Sequence, residues 1–225
     1  MCNLYDIGPT QNKNRAAWRR RLVEAAESLP RLFGIRKTDP AVVLRVSGGD
    51  WVPEIMNWGF ERDFNPAVNN ARLDKLASPM WRSAIAERRC AIPVSAFYEW
   101  SGTAGHKQTH AFLPAAPETE WLWMAGIWEK RGSGISSGAR FSMITTSARE
   151  PVASIHDRMP VVLPEEALEA FLAGEEFQGA DPETTADRAA QWLHRHSLVP
   201  AITFRCLNPL KDNRLREPVE EGFLF

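Results

Sequence analysis

The chain reads as short apolar runs, rich in β-branched and aromatic residues, interrupted by a few stretches with helical spacing. Residues 15–32 carry Trp18, Leu22, Ala25 and Ala26 near a helical repeat and reach Pro30, which predicts an amphipathic helix. Strand-like runs follow at 41–46, 90–100, 111–113, 121–128 and 141–146, with a shorter one at 161–163. A short helix is expected at 81–89, another at 164–173 after Pro164, and a third at 186–194. Gly132, Gly134 and Gly138 among serines mark 131–138 as a hairpin connection. No repeat and no long low-complexity linker breaks the pattern. The expectation is one α+β domain over residues 1–225, with a strand-rich centre and peripheral helices.

Composition narrows the class. The 225 residues are 44% hydrophobic and 24% charged, which excludes global disorder. No apolar run approaches the ~18 residues that suggest a membrane span. Three cysteines, Cys2, Cys90 and Cys206, exclude a disulfide scaffold and suggest a reducing compartment. The arginine-rich stretch 15–21 is followed by Glu24 and Glu27, whereas transit peptides are poor in acid, so a cytoplasmic protein is expected. A net charge of −1 excludes a generic polybasic nucleic-acid binder. The charge is uneven, however. Residues 1–163 hold 21 basic and 16 acidic side chains, and residues 164–225 hold 6 and 12. Either the C-terminal third presents a solvated acidic face, or a polyanion meets the first two-thirds.

Candidate chemistry begins at Cys2. A small second residue favours removal of Met1, and a freed Cys2 would present an amine and a thiol on adjacent carbons. Their ordinary pKa values, about 7.7–8.0 and 8.5, leave both partly available near neutral pH. Such a pair condenses with an aldehyde to an imine and then closes a thiazolidine; an incidental cysteine is the plain alternative. Glu99, within Phe97-Tyr98-Glu99-Trp100, sits among aromatic side chains whose burial would raise its pKa toward proton transfer at neutral pH. Alternatively it reaches solvent or an arginine at a strand end. His156, in Ile155-His156-Asp157-Arg158-Met159-Pro160, precedes the run at 161–163 and is placed to act as acid or base, or to be satisfied by backbone in a turn. Asn70 can orient a nucleophile and Arg72 can clamp a phosphate; read plainly, they are a loop asparagine and a surface arginine. Nine tryptophans mostly suit a core, though one or two could stack on bases. No Cys/His spacing or carboxylate cluster suggests a metal site, and neither a phosphate-binding loop nor a dinucleotide fingerprint is present.

Taken together, Met1-Cys2, Trp58-Gly59, Asn70-Ala71-Arg72, Phe97-Tyr98-Glu99-Trp100 and His156-Asp157-Arg158-Met159-Pro160 occur in an order and spacing that resemble the SOS response-associated peptidase (SRAP) family. The resemblance covers roughly residues 1–165, and 208–218 resemble the family's closing stretch. It implies an α+β fold around a barrel-like antiparallel sheet. It also implies covalent capture of abasic sites in single-stranded DNA by the N-terminal cysteine, exposed by autocatalytic loss of Met1. Asn70 matches the asparagine that positions cysteine and sugar, and Glu99 the proton-handling glutamate. His156 matches the histidine of ring opening and linkage reversal. Arg72, Thr145, Trp58, Phe64 and Arg158 are the DNA-contacting residues so implied. No cofactor or metal is implied, and a monomer is expected. The chain departs from the family's common Met-Cys-Gly-Arg opening, reading Met1-Cys2-Asn3-Leu4. Asp74 stands where many members have glutamate, and Phe60 and Phe64 are the aromatics of 60–69 where some members carry a tryptophan pair.

Two other functions compete. A cysteine N-terminal-nucleophile hydrolase would turn over an amide with the Cys2 amine as base. A non-covalent single-strand binding module would hold intact and abasic strands equally through Arg72 and exposed aromatics.

Overall fold

The computed structural model describes residues 2–8, 16–103, 106–114, 119–130, 138–198 and the backbone of 202–207. Five strands are hydrogen-bonded in a path that returns to its start. Ala139–Ser147 pairs in parallel with Asp50–Trp58, which pairs with Pro40–Ser47. That strand meets Arg89–Val94, then Leu122–Lys130, which closes back onto Ala139–Ser147. The expected barrel-like centre is thus a closed ring. Its strands carry fully buried residues on both faces, Ile92, Met124, Phe141 and Met143 on one and Val42 and Leu44 on the other.

A second sheet lies beside the ring in the order Ile202–Leu207, Gln108–Pro114, Ala96–Ser101, Leu4–Asp6, Ile35–Arg36. The run expected as one strand over 90–100 is two. Arg89–Val94 belongs to the ring and Ala96–Ser101 to the second sheet. Ser95 is the crossing point, where its backbone N–H and its hydroxyl both donate to the Asp6 carbonyl, at 2.8 and 3.2 Å.

Among the described residues, four α-helices flank the sheets. The first, α1, spans Ala17–Glu27 and stops short of the expected 32. Pro30 lacks an amide hydrogen, and the chain leaves the helix at Ser28, whose N–H still donates to Glu24. The second, α2, covers Arg82–Glu87. The stretch after Pro164 is a 3-10 turn, Glu165–Ala167, leading into α3, Leu168–Ala173. The last, α4, runs over Pro182–His196, four residues longer at its start than the apolar spacing shows. Asp181 caps it by accepting from the Thr184 N–H at 2.7 Å, and Pro182 occupies the first turn, where its missing donor is harmless. All of the expected hairpin connection at 131–138 except Gly138, and the closing stretch 208–218, lie outside the described residues. Among the described residues no helix is long and apolar enough to cross a membrane.

Candidate functional site

The site is built where the second sheet meets the ring. Leu4–Asp6 lies antiparallel to Ala96–Ser101, with Tyr5 opposite Phe97, so the chain before Leu4 runs toward Tyr98 and Glu99. Cys2 is fully buried there. Its thiol donates weakly to the Leu4 carbonyl at 3.5 Å. Its own carbonyl accepts two side-chain amides, from Asn70 at 3.0 Å and Asn69 at 3.3 Å. Asn69 also donates to the Asn3 side-chain oxygen at 3.0 Å, so the residue standing in for glycine is used to fix the opening segment. Burial pushes the Cys2 thiol well above its usual range, and the negative charge of Glu99 adds to the effect. At neutral pH the sulfur is therefore a protonated thiol.

Glu99 lies inside its strand rather than at the end, and is only 1% exposed. Burial raises its carboxyl to about 7, with the charge of Asp157 contributing in the same direction. The aromatic neighbourhood read from Phe97-Tyr98-Glu99-Trp100 thus gives a carboxyl that titrates at working pH.

His156 occupies the turn after the 3-10 segment Val152–Ser154, its N–H donating to Val152 at 2.9 Å. Its Nδ1 accepts from the Arg158 backbone N–H at 3.0 Å, while a carboxylate oxygen of Asp157 stands 2.8 Å from the same nitrogen. The two contacts demand opposite protonation. Burial pulls the imidazole below its ordinary value despite Asp157, so the neutral ring holds near pH 7. The Asp157 contact calls for the hydrogen on Nδ1, and the Arg158 contact for the hydrogen on Nε2.

The ring strand Ala139–Ser147 carries the remaining polar groups in register. Asn70–Arg72, expected as a loop, is a strand parallel to it, with Asn70 beside Met143 and Arg72 beside Thr145. Arg158 opposes Ser147 on its other edge. Thr145 is fully buried, and Arg158 donates to its carbonyl at 2.7 Å and reaches its hydroxyl at 3.4 Å. Exposed Arg72 is clamped by Asp74 through two bonds of 3.1 and 2.7 Å, and Arg158 lies 3.7 Å from the same carboxylate.

Two expected DNA contacts separate. Trp58 is fully buried, packed edge-on to Tyr5 at 4.9 Å and stacked on Phe141 at 6.3 Å. Its indole N–H donates to the Asn69 carbonyl at 2.9 Å. It supports the asparagine pair from beneath instead of meeting a ligand. Phe64 stands 77% exposed on the hairpin formed by Phe60–Arg62 and Asn65–Val68. Gly59 makes that hairpin possible: its φ is +116°, and a Cβ there would lie 2.8 Å from the Cβ of Ala67.

Asn69 and Asp157 are site residues that the sequence reading passed over. The doubled asparagine ahead of Arg72 was the available signal for Asn69; Asp157 was visible only as a neighbour of His156. Among the described residues no group of three or more His, Cys, Asp or Glu side chains could hold a metal ion.

The motifs and the closed ring define a protein of one class. The chain belongs to the SOS response associated peptidase (SRAP) family, whose family model matches residues 1–204. Among similar proteins, the abasic site processing protein YoqW of Bacillus subtilis is 30% identical over 117 residues, 51% of this chain and 52% of that protein. The abasic site processing protein HMCES of Gallus gallus is 36% identical over 107 residues, 38% of this chain and 31% of that one. The chain thus spans about half or less of the curated relatives it matches. The fold is also that of a phage-related protein of Bordetella bronchiseptica, with a TM-score of 0.66 at 20% identity, covering 92% and 95% of the two chains. A Bacteroides thetaiotaomicron protein gives 0.63 at 19%, covering 83% of each.

Proposed function

We propose that this protein processes abasic sites in single-stranded DNA by joining itself to the ring-opened sugar through Cys2. The reading is supported by membership of the family, by relatives named for abasic site processing, and above all by the fixed placement of Cys2. Two asparagine amides grip its carbonyl and leave its amine and thiol as the variable groups, beside a carboxyl that titrates near neutrality.

The reaction needs a free Cys2 amine, so Met1 is first removed by hydrolysis of its peptide bond, with Cys2 nitrogen as the leaving amine. The amine then adds to the sugar aldehyde, and water departs to leave an imine. The thiol sulfur adds to the imine carbon while its proton passes to nitrogen, closing the thiazolidine. No oxidant or reductant is consumed. Glu99 accepts the proton that the attacking amine gives up. His156 serves as the acid toward the sugar oxygen during ring opening and assists the reverse step. The Asn70 side-chain oxygen is buried without a hydrogen-bond partner. Such an acceptor costs about 1–3 kcal/mol when left unpaired, and a sugar hydroxyl would satisfy it. Arg72 and Arg158 line the approach for phosphate, Thr145, buried and so no direct DNA contact, holds Arg158 from behind, and Phe64 offers a face for base stacking. The protein acts as a monomer on this scheme.

The test is a denaturing gel with mature protein, a strand carrying one abasic site, an intact strand, and Cys2→Ala. A heat-stable band is expected only for the wild type with the abasic strand. A band that survives Cys2→Ala would overturn the proposal. Amide turnover without a band would favour the hydrolase, and equal binding of both strands without a band the non-covalent module.

A further inference from the structure

The arginine pair at the site also lines something beyond it. Arg72 and Arg158 form one end of a cleft of about 700 Å3, whose opposite wall is the last turn of α4. Arg195 stands exposed on that turn, and half-buried Arg149 lies in the segment after the ring strand Ala139–Ser147. Four arginines therefore line one concavity of a chain whose net charge is −1. One carboxylate lines it, Asp74, and it is already engaged with Arg72 at 2.7 Å. Neither Arg149 nor Arg195 has a carboxylate within ion-pair distance among the described residues. The Nε of Arg158 is buried without a hydrogen-bond partner.

Basic residues in the last turn of a helix also complement its dipole, which accounts for Arg195 taken alone. It does not account for Arg149, which belongs to no helix, nor for a clustering of four arginines against the single carboxylate of Asp74. Ala148, Ala190 and Leu73 give the cleft apolar surface between the charges, suited to sugars and base faces.

We infer that this cleft holds the phosphates of nucleotides flanking the reactive one, with Arg149 and Arg195 as the contacts farthest from Cys2. The strand then runs from the site, past Arg158 and Arg72, and between the ring edge and α4. This deepens the proposed function and rests on it for the direction of the strand, but the affinity of the cleft does not depend on covalent chemistry.

The experiment accordingly uses an intact single strand, which offers no aldehyde, and compares wild type with Arg149→Ala/Arg195→Ala and Arg149→Lys/Arg195→Lys. Non-covalent affinity is measured across a salt series. Each phosphate neutralised on a single strand contributes about 0.7 to the slope of log affinity against log salt. Loss of two contacts lowers the slope by roughly 1.4, so wild type should lose about sevenfold more affinity than the alanine variant between about 50 and 200 mM salt. The lysine variant should restore most of the slope. An unchanged slope in the alanine variant overturns the inference, and so does a lysine variant that fails to restore it, because the slope counts charge. A parallel denaturing gel with the abasic strand keeps the two readings apart. An adduct with an unchanged slope removes the cleft alone, whereas a slope change without an adduct removes the covalent step alone.

Discussion

A carboxyl that titrates near 7 at Glu99 has two consequences, one for rate and one for stability. If Glu99 takes the proton from the attacking amine, its ionised form is the active one. Adduct formation should then accelerate as pH rises through about 7, and the inflection should vanish in Glu99→Gln. A rate that instead falls through the same range would assign Glu99 as the acid. For stability the sign is fixed by burial. The folded pKa lies above the ordinary value of 4.5, so the native state binds the proton more tightly than the unfolded chain. Wild type should be most stable, relative to Glu99→Gln, below pH 4.5, and should lose up to about 3 kcal/mol of that advantage as pH climbs past 7. Urea titrations of both proteins at pH 4.5, 6 and 8 measure it. At this scale much was legible. Cys2, Asn70, Glu99 and His156 were marked by neighbours of distinctive chemistry; in the structure Asn70 bonds to the Cys2 carbonyl, Glu99 is felt at the Cys2 thiol, and Asp157, next to His156, is felt at Glu99. The burial of Trp58 was not legible, because a tryptophan beside glycine reads alike whether its ring faces a base or, as here, Tyr5 and Phe141.

Elements were read well where a single period governs them and poorly where a strand is short, polar or bent. Pro40–Ser47 and Ala139–Ser147 extend the expected runs by one or two residues at their ends, since β-branched and aromatic residues dominate them. Asp50–Trp58 went unread because Pro53 and Glu54 interrupt its pattern; it is held by eight register pairs with its partner, a tertiary effect. Asn70–Arg72 is three residues long and owes its strand conformation to Ala139–Ser147. The Trp58-Gly59 junction is the element whose sequence signal has the clearest physical cause. Gly59 donates to Phe141 at 2.7 Å and turns the chain into the hairpin that carries Phe64. In Gly59→Ala the left-handed φ is strained and the new methyl meets Ala67, including its Cα at 3.0 Å. A loss of about 1–3 kcal/mol is expected by urea denaturation. A loss below 0.5 kcal/mol would mean that the hairpin shifts freely and that Phe64 has no fixed position to offer a base.

On the scale of the whole molecule, closure of the ring was expected only through resemblance, because it depends on which strands meet. A single register pair, Leu44 with Ala91, joins two of its strands, and no local pattern encodes such a contact. One buried charge that was equally silent in the sequence ties α2 and α3 to the ring. Arg89 begins a ring strand, and its guanidinium has four carbonyl acceptors instead of a carboxylate. These are Ile85 and Ala86 at the end of α2, at 2.8 and 2.5 Å, and Leu172 and Ala173 at the end of α3, at 3.3 and 2.9 Å. Those carbonyls have no partners within their helices, and the cation also complements two helix dipoles. Burial lowers the Arg89 pKa to about 10, so the charge survives at neutral pH. Arg89→Leu keeps the apolar stem but strands the carbonyls, at a cost on the order of 3 kcal/mol. For a chain of this size each kcal/mol moves the melting midpoint by about 2–4 °C, so a drop of roughly 6–12 °C is expected by calorimetry. Arg89 touches none of the residues around Cys2, so adduct formation by Arg89→Leu well below its melting midpoint should match wild type. A slower reaction there would show that the helical shell positions the site as well as stabilising the ring.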